Sequence, residues 1–469
     1  MEKEEFNFKQ LFNEFLEIEK RYNLFEKKEQ NVYYWKILRY HVFHEINKQK
    51  QGIRAIHLKA TRKDKVKNLL SMIKNAIFMN PFLKRRKEII VLDHPRKLKF
   101  QDIEIDPYTH FFLKDMDKSE YELLERRYVG KFKKSVNSTN SSTDFFSLLN
   151  FINKKLRKIT LSDHTIRLLA ELEDEIQKKF DVKIDLQKLA YEKISNFISV
   201  RQIFGFYLRK KRPKKLYLVV SYELDPFVAA AQDQNIEVIE FQHGLMGPNH
   251  IGYHFPDIEF VPYFPDQLYL FGRYWEEITA LPKNTRVKYY GYPYLKFYID
   301  HYKIDINAKN DREIVVISQG TIGKSLSKII HDLAQRLPDY NFKYKLHPGE
   351  FGRWKNDYPW LKKLSQFPNV KVIENEENLY DMFSKAKYVI GVNSTAIFEA
   401  MAFKVVPVIV KLPSYEVMKT LERKYGVPIM ETSEQIANWI TISQKQSHVQ
   451  NIDINSIFFG LYNDSIGNK

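Results

Sequence analysis

The stretch Lys387–Val410, KYVIGVNSTAIFEAMAFKVVPVIV, reads as strand, turn, helix and strand in one compact unit. Tyr388 to Val392 is a short apolar run rich in β-formers. Asn393, Ser394 and Thr395 carry the side chains that start helices, and Ala396 to Phe403 continue with Ile397, Ala400 and Met401 at core spacing. Val405 to Val410 is a second buried strand. A strand that runs through Asn-Ser-Thr into a helix leaves free backbone N–H groups beside two hydroxyls, at the positive end of the helix dipole. The turn therefore reads either as plain N-capping or as an anion site.

The same alternation runs outward from this unit. Glu313 to Ser318 is a strand ending in Gln319-Gly320-Thr321, followed by a helix over Ile322 to Leu337. Phe342 to Leu346 is a strand ending in His347-Pro348-Gly349-Glu350, and Val370 to Ile373 another, before a helix from Leu379 to Ala386. Helices from Tyr415 to Tyr425 and Ser433 to Ser443 follow. Further upstream, Glu88 to Asp93, Leu216 to Tyr222, Ile236 to Phe241, Gln267 to Phe271 and Val287 to Gly291 repeat the pattern, with Asp225-Pro226 opening a helix between two of them. Strand, helix, strand is a βαβ unit and implies a parallel sheet. Asp300 to Asp311 is polar and aperiodic, which marks it as a linker. The expected fold is α/β: two Rossmann-like parallel-sheet domains facing a cleft, with an N-terminal helical extension. The boundaries are 1–87 for a helical, basic extension, 88–305 for an N-terminal Rossmann-like domain and 306–469 for a C-terminal Rossmann-like domain whose last helices cross back. Trp35, Tyr40, His41 and His44 read as core of the extension, and Ser135 to Thr143 as a mobile polar loop.

Composition narrows the function classes. The 469 residues include no cysteine, which excludes disulfides, thiolate catalysis and cysteine-ligated zinc. The start MEKEEFNFKQ lacks the basic and apolar regions of a secretory signal, and no run of eighteen apolar residues occurs, so the expected compartment is cytoplasmic. The net charge of +17 is uneven: from Lys48 to Lys87 thirteen Lys or Arg face the single acid Asp64, and Arg209 to Lys215 is RKKRPKK. Because Leu69, Leu70, Met72, Ile73, Ala76, Ile77, Phe78 and Phe82 form an apolar face inside the first of these runs, it reads either as a basic amphipathic helix on an anionic membrane surface or as ordinary packing. Few aromatics interleave the basic runs, so nucleic acid is not an expected partner.

In an open parallel sheet, ligands collect at the carboxyl ends of the strands. Three such ends in the second half point to one edge: Gln319, Gly320 and Thr321; Lys345, His347 and Pro348; Asn393, Ser394 and Thr395, with Glu399 one helical turn deeper. Hydroxyls, backbone N–H groups and an imidazole would receive donor phosphate, and Glu399 a ribose hydroxyl. No G-x-x-x-x-G-K-[ST] or G-x-G-x-x-G motif is present, so neither a P-loop nor a dinucleotide site is supported. In the first half, Gln242-His243-Gly244 and His250 follow a strand, as do His94 and Arg96. His243 there is either a general base or a hydrogen-bonding prop. Glu223 and Glu240 are the alternative bases, and Gln242, Gly244, His250, His94 and Arg96 form the acceptor side.

The second half resembles the nucleotide-binding domain of GT-B glycosyltransferases. Its His-Pro and Ser-Thr pairs are similar to the motifs of bacterial transferases that use CMP- or CDP-activated donors: sialyl and polysialyl transferases, capsule Kdo transferases and CDP-glycerol polymerases. The resemblance spans roughly residues 215 to 425. It implies that His347 and Pro348 contact the cytidine monophosphate part and that Ser394 and Thr395 contact its phosphate. The Gln-His-Gly loop resembles that of teichoic-acid polymerases and related capsule enzymes, which implies His243 as the base. Sialyltransferases of this type carry an acidic D/E-D-G motif where Gln242-His243-Gly244 stands, which leaves donor sugar and anomeric outcome open. The expected function is transfer of a sugar from a nucleotide-sugar donor, CMP-sugar favoured, to a lipid-linked glycan acceptor in bacterial capsule or lipopolysaccharide synthesis, peripheral to the inner face of the plasma membrane. No cofactor and no metal are expected, since the nearest approach to D-x-D is Asp257-Ile258-Glu259. The alternatives are a CDP-glycerol-type polyol-phosphate transferase and a non-catalytic glycan- or membrane-binding scaffold.

Overall fold

The computed structural model describes residues 7–51, 61–128, 130–303, 309–320, 322–443 and 452–460. Thr321, part of the basic stretch (52–60) and part of the polar stretch (304–308) lie outside the described residues. The chain divides into two compact units, one made of Leu11–Met246 and His250–Tyr294, the other chiefly of Leu295–Gly460.

The N-terminal unit begins with helices α1 (Phe8–Arg21), α2 (Tyr34–Lys50) and α3 (Arg62–Phe78). Phe12 and Phe15 pack edge-on against Phe43, with ring centroids 5.3 and 5.2 Å away, and Phe15 stacks on Trp35. Burying charge among these rings is tolerated only because the charges are paired. Arg39 donates to Glu19 at 2.7 and 3.0 Å and to the carbonyls of Ile251 and His254, and Lys36 meets Asp225 at 2.5 Å. These contacts join α1 and α2 to the body of the unit. Trp35 is core, as expected, whereas His44 is exposed.

Strands β1 (Ile89–Leu92), β2 (Leu98–Phe100) and β3 (Ile103–Ile105) come next, the last two forming an antiparallel hairpin. After them run α4 (His110–Lys114), β4 (Tyr121–Glu125), β5 (Ser141–Ser142), α5 (Asp144–Leu156), α6 (Asp163–Phe180), α7 (Leu186–Lys211), β6 (Lys215–Val219), α8 (Asp225–Gln232), β7 (Glu237–Phe241), β8 (Gln267–Leu270), α9 (Arg273–Glu277) and β9 (Arg286–Tyr289). The sheet has the order β5-β4-β1-β6-β7-β8-β9, and every pairing is parallel. Burial on both faces explains the apolar runs of the central strands β1, β6 and β8.

The stretch Ser135–Thr143 departs from the loop the sequence suggests. Several of its polar groups are used inside the fold: Ser135 N and Ser138 Oγ donate to the Glu125 carboxylate at 2.6 Å each, Leu123 N donates to Thr139 Oγ1, and Ser141–Ser142 adds the edge strand β5. A buried acid needs such donors, so part of the stretch is polar because it solvates Glu125, while Asn140 stays exposed.

The C-terminal unit contains α10 (Pro293–Tyr302), β10 (Asn310–Ile317), α11 (Gly323–Arg336), β11 (Asn341–Lys345), α12 (Trp354–Asp357), α13 (Pro359–Leu364), β12 (Val370–Ile373), α14 (Leu379–Lys385), β13 (Ala386–Gly391), α15 (Thr395–Ala402), β14 (Val406–Val410), α16 (Lys419–Tyr425), β15 (Ile429–Met430) and α17 (Ser433–Ser443). Its six strands, all parallel, lie in the order β12-β11-β10-β13-β14-β15. Ile314, Val316, Tyr344, Ile390 and Val408 of the strands pack against Leu326, Ile330 and Leu333 of α11. Two Rossmann-like parallel sheets are therefore present, one in each unit.

Candidate functional site

In each sheet the chain reverses its direction of progress once, and the strands flanking that reversal leave a crevice beyond their carboxyl ends. In the C-terminal sheet β10 leads to β11 on one side while β13 leads to β14 on the other, so the crevice lies between β10 and β13. In the N-terminal sheet the same argument selects β1 and β6.

At the C-terminal crevice the Gln319 side-chain amide donates to the Asn393 carbonyl, bridging the two strand ends. Ser394 caps α15 by accepting from Ala396 N at 3.2 Å, which realises the capping role, and Thr395 is the first helical residue. Asn393 is held by its own donation to the Ser414 carbonyl. The β11 end is fastened to the same edge. Glu350, fully buried, accepts from His347 N at 2.7 Å and from Ser318 Oγ at 2.9 Å, and Gly349 N donates to His347 Nδ1 at 3.1 Å. Pro348 opens the short 3-10 turn that carries this geometry. Arg353 reaches the carbonyls of Gly349 and Gly320, and Tyr358 donates to Gly320 as well. With strands about 4.8 Å apart, the His347 and Asn393 ends lie roughly 10 Å from one another across β10.

Two members of the donor set stand apart. Lys345 donates to the carbonyls of Glu374 and Glu377, in the turn that follows β12. Glu399 is half-buried and accepts from the Tyr380 hydroxyl at 3.0 Å; burial pushes its carboxyl up to about 7.

The N-terminal crevice gathers rings around His243. Its Nε2 is 3.4 Å from the Tyr222 hydroxyl and its Nδ1 3.4 Å from the Tyr253 hydroxyl, while His94 stacks at 6.3 Å and Tyr108 stands edge-on at 6.3 Å. Tyr222 is delivered there by Val220, which takes φ 67° and ψ 71°, a costly conformation for a β-branched residue. The same abrupt turn brings Ser221 N to the Glu240 carboxylate at 3.0 Å. Glu240 also accepts from Tyr253 at 2.5 Å, and its other oxygen is buried with no hydrogen-bond partner among the described residues. Beneath the rings Arg126 ties three strand ends together, donating to the carbonyls of Asp93 and Val219 from the end of β4. Asp106 accepts from His94 N, Tyr108 N and Thr109 Oγ1, which fixes that side of the cluster.

Burial, with His94, His250 and Arg126 close by, holds His243 well below the usual histidine range. Burial likewise lowers His94, against the pull of Asp106, and His250 to about 4 each. The imidazoles are therefore neutral at pH 7. Burial pushes Glu240 upward.

The remaining residues of this side are less direct. Gln242 is buried and structural: it donates to the Gly244 carbonyl at 2.8 Å and accepts from Phe271 N at 2.7 Å. His250 Nδ1 accepts from Gly252 N. The Arg96 carbonyl lies 3.4 Å from His94 Nδ1, and Glu223 is exposed at the rim. Tyr222, Tyr253, Tyr108, Arg126 and Asp106 were not legible as site residues, since aromatic and paired charged side chains read as core. Glu350 sat inside the quoted His-Pro-Gly-Glu turn, and its spacing of three from His347 is the signal of a capping box that singles it out.

No family model and no curated protein matches the chain. Among solved structures it is similar to the UDP-GlcNAc 2-epimerase of Methanocaldococcus jannaschii in complex with UDP-GlcNAc and UDP, at 10% identity and a TM-score of 0.46 over 79% of this chain and 95% of that one. It is also similar to the Neisseria meningitidis UDP-GlcNAc 2-epimerase bound to UDP-GlcNAc, at 13% identity and a TM-score of 0.44 over 78% and 95% of the two chains. A third is Acinetobacter baumannii MurG, at 10% identity and a TM-score of 0.42 over 78% and 92%. Likenesses this distant assign no residue a role.

Proposed function

We propose that the protein is a GT-B glycosyltransferase that moves a sugar from a nucleotide-activated donor, cytidine-type favoured, to a lipid-linked glycan acceptor in bacterial capsule or lipopolysaccharide synthesis, working at the cytoplasmic face of the membrane. The observation that carries it is the Gln319–Asn393 bridge across the C-terminal crevice, beside the Ser394-capped start of α15. Phosphate suits that position because backbone N–H groups and the helix dipole both favour negative charge there. His347, Pro348, Gln319, Gly320 and Asn393 line the donor side, with Thr395 at the helix start, and Glu399 serves the ribose. Thr321 completes that turn in the sequence.

His243 takes the proton of the acceptor hydroxyl as that oxygen bonds to the sugar's anomeric carbon. The bond from that carbon to the donor phosphate breaks, and its electron pair leaves with the nucleotide, whose developing charge the helix start stabilises. Neutrality at pH 7 equips His243 for the role, and Tyr253, anchored on Glu240, orients it. Buried Glu240 acts through that tyrosine; exposed Glu223 is the alternative base.

The test is a thermal-shift comparison of CMP, CDP, UDP and GDP, followed by turnover with CMP-sugars and with CDP-glycerol or CDP-ribitol. Stabilisation by cytidine nucleotides together with sugar transfer supports the proposal. Turnover of the CDP-polyols alone makes the enzyme a polyol-phosphate transferase, and no stabilisation by any nucleotide overturns the enzyme reading in favour of a scaffold.

A further inference from the structure

Helix α3 is built the wrong way round for a soluble surface helix. Its inward stripe is Asn68, Ser71, Met72, Asn75, Ala76 and Met79, mostly polar or small. Ser71 accepts from Arg127 at 3.0 Å, and Asn75 donates to Asp144 at 2.8 Å. Six large apolar residues, Val66, Leu69, Leu70, Ile73, Ile77 and Phe78, are between 39% and 72% exposed, and they share the outward side with Arg62, Lys63, Lys65, Lys67 and Lys74. A helix that packs against a protein core places these two sets the other way. Helix α5 packs beside it through Asp144, and although its Phe146 is core, its C-terminal half repeats the inversion. Its inner side carries Asn150 and Asn153, bonded to Asn196 and Ser199 of α7, while Phe151, Ile152 and Leu156 are between 51% and 78% exposed. Leu83, in the turn after α3, is 79% exposed. An apolar surface of this extent is uncommon on a soluble protein and marks an interaction site.

Charge says what covers it. Residues 62–87 and 145–158 hold thirteen Lys or Arg and one acid, Asp64, whose carboxylate is used in the Thr61 capping box. A second copy of this chain would bring the same positive charge against itself, and a nucleic acid offers no apolar phase for the leucines and phenylalanines. A bilayer with anionic headgroups satisfies both sets, since aliphatic side chains enter the acyl boundary while lysines and arginines stay at headgroup level. We propose that the outward stripes of α3 and α5 dock the protein on an anionic lipid bilayer. The inversion of two adjacent helices goes beyond the basic composition of the segment, and the surface uses no residue of the two crevices, so this proposal and the transferase reading can fail separately.

The experiment is flotation of the full chain with vesicles of phosphatidylglycerol and phosphatidylcholine, or of phosphatidylcholine alone, without nucleotide. The wild-type chain floats with the anionic vesicles, and raising salt weakens this. The double variant Leu70→Glu, Ile152→Glu loses about tenfold or more of its partitioning. Both positions are exposed, and an unchanged melting temperature confirms that the variant is folded. A variant Lys63→Glu, Lys67→Glu loses binding to the anionic vesicles as well. Equal partitioning of wild type and the apolar variant overturns the proposal. So does a wild-type chain that ignores vesicles, whether it sediments as a monomer or as a dimer that the apolar variant dissociates.

Discussion

The Tyr253 hydroxyl lies 3.4 Å from His243 Nδ1 while donating its own proton to Glu240 at 2.5 Å. Because that proton is committed to the carboxylate, the tyrosine oxygen faces the imidazole as an acceptor. This favours the tautomer with hydrogen on Nδ1 and a free electron pair on Nε2, the nitrogen near Tyr222. His243→Ala should therefore lower kcat by about 10²- to 10⁴-fold. Nucleotide affinity, measured by calorimetry, should not change, because the residues assigned to the donor belong to the other unit. Normal turnover by this variant would remove His243 from the base role.

The pH profile tests the same assignment independently. A base must be unprotonated, and burial beside His94, His250 and Arg126 holds His243 well below its ordinary 6.5. The neutral form is present above the depressed pKa and is lost only as pH falls through it. Hence kcat at saturating donor should stay flat down through 6.5, with its acid limb at lower pH. A limb centred at 6.5 would mean that the titrating base is a histidine in an ordinary environment.

Tyr222 and its neighbour Gly252 offer a substitution that touches no polar group. A Cβ added at Gly252 would stand 2.6 Å from Tyr222 Cδ1, in the body of a ring that is itself stacked on Tyr40 at 4.7 Å. The ring must move, and the His243 contact moves with it. Gly252→Ala should lower kcat about 10- to 100-fold, the order of loss that a displacement of about 1 Å brings. An unchanged kcat would show that the Tyr222 ring does not position the histidine.

How much of this was open to the sequence depended on what kind of signal each part leaves. Strands buried on both faces leave continuous apolar runs, so Tyr388–Val392 and Leu216–Tyr222 stood out, with β13 and β6 running over most of each. Strand ends came with them, and with those His243, His347 and Ser394. Side-chain direction did not: Lys345 is two residues from His347, yet it serves the carbonyls of the 374–377 turn. The edge strand Ser141–Ser142 has no apolar signal at all, because its work is hydrogen bonding beside Glu125. For α3, periodicity revealed an apolar stripe but could not say which way it faced.

At the donor side two variants separate phosphate from ribose. Ser394→Ala removes the cap of α15, costing about 1 kcal/mol of stability, and should weaken nucleoside diphosphate more than nucleoside, as titration with each would reveal. Glu399 carries a carboxyl pushed up to about 7, so it is protonated below that pH and ionised above it. An ionised carboxylate accepts from ribose hydroxyls more strongly. Nucleoside affinity should therefore rise as pH passes through about 7, and Glu399→Gln should abolish that limb. If the limb survives the substitution, another group produces it.

The His347 turn depends on a single buried acid. Glu350 accepts His347 N at 2.7 Å and Ser318 Oγ at 2.9 Å, and α11 passes so close that a Cβ on Gly323 would lie 2.2 Å from its Oε1. Burial pushes its carboxyl upward, and the two donors oppose that shift. Glu350→Ala removes the acceptor of buried Ser318 Oγ and of half-buried His347 N, at a cost of about 2 kcal/mol, and frees His347 from the crevice edge. Glu350→Gln keeps an oxygen for His347 N and offers its amide to Ser318, whose hydroxyl can turn to accept. Denaturant titration should rank wild type first, glutamine second and alanine last. Nucleotide affinity should follow the same order, because the carboxylate acts only by holding the histidine turn in place. An alanine variant that binds nucleotide as tightly as wild type would detach His347 from the donor site.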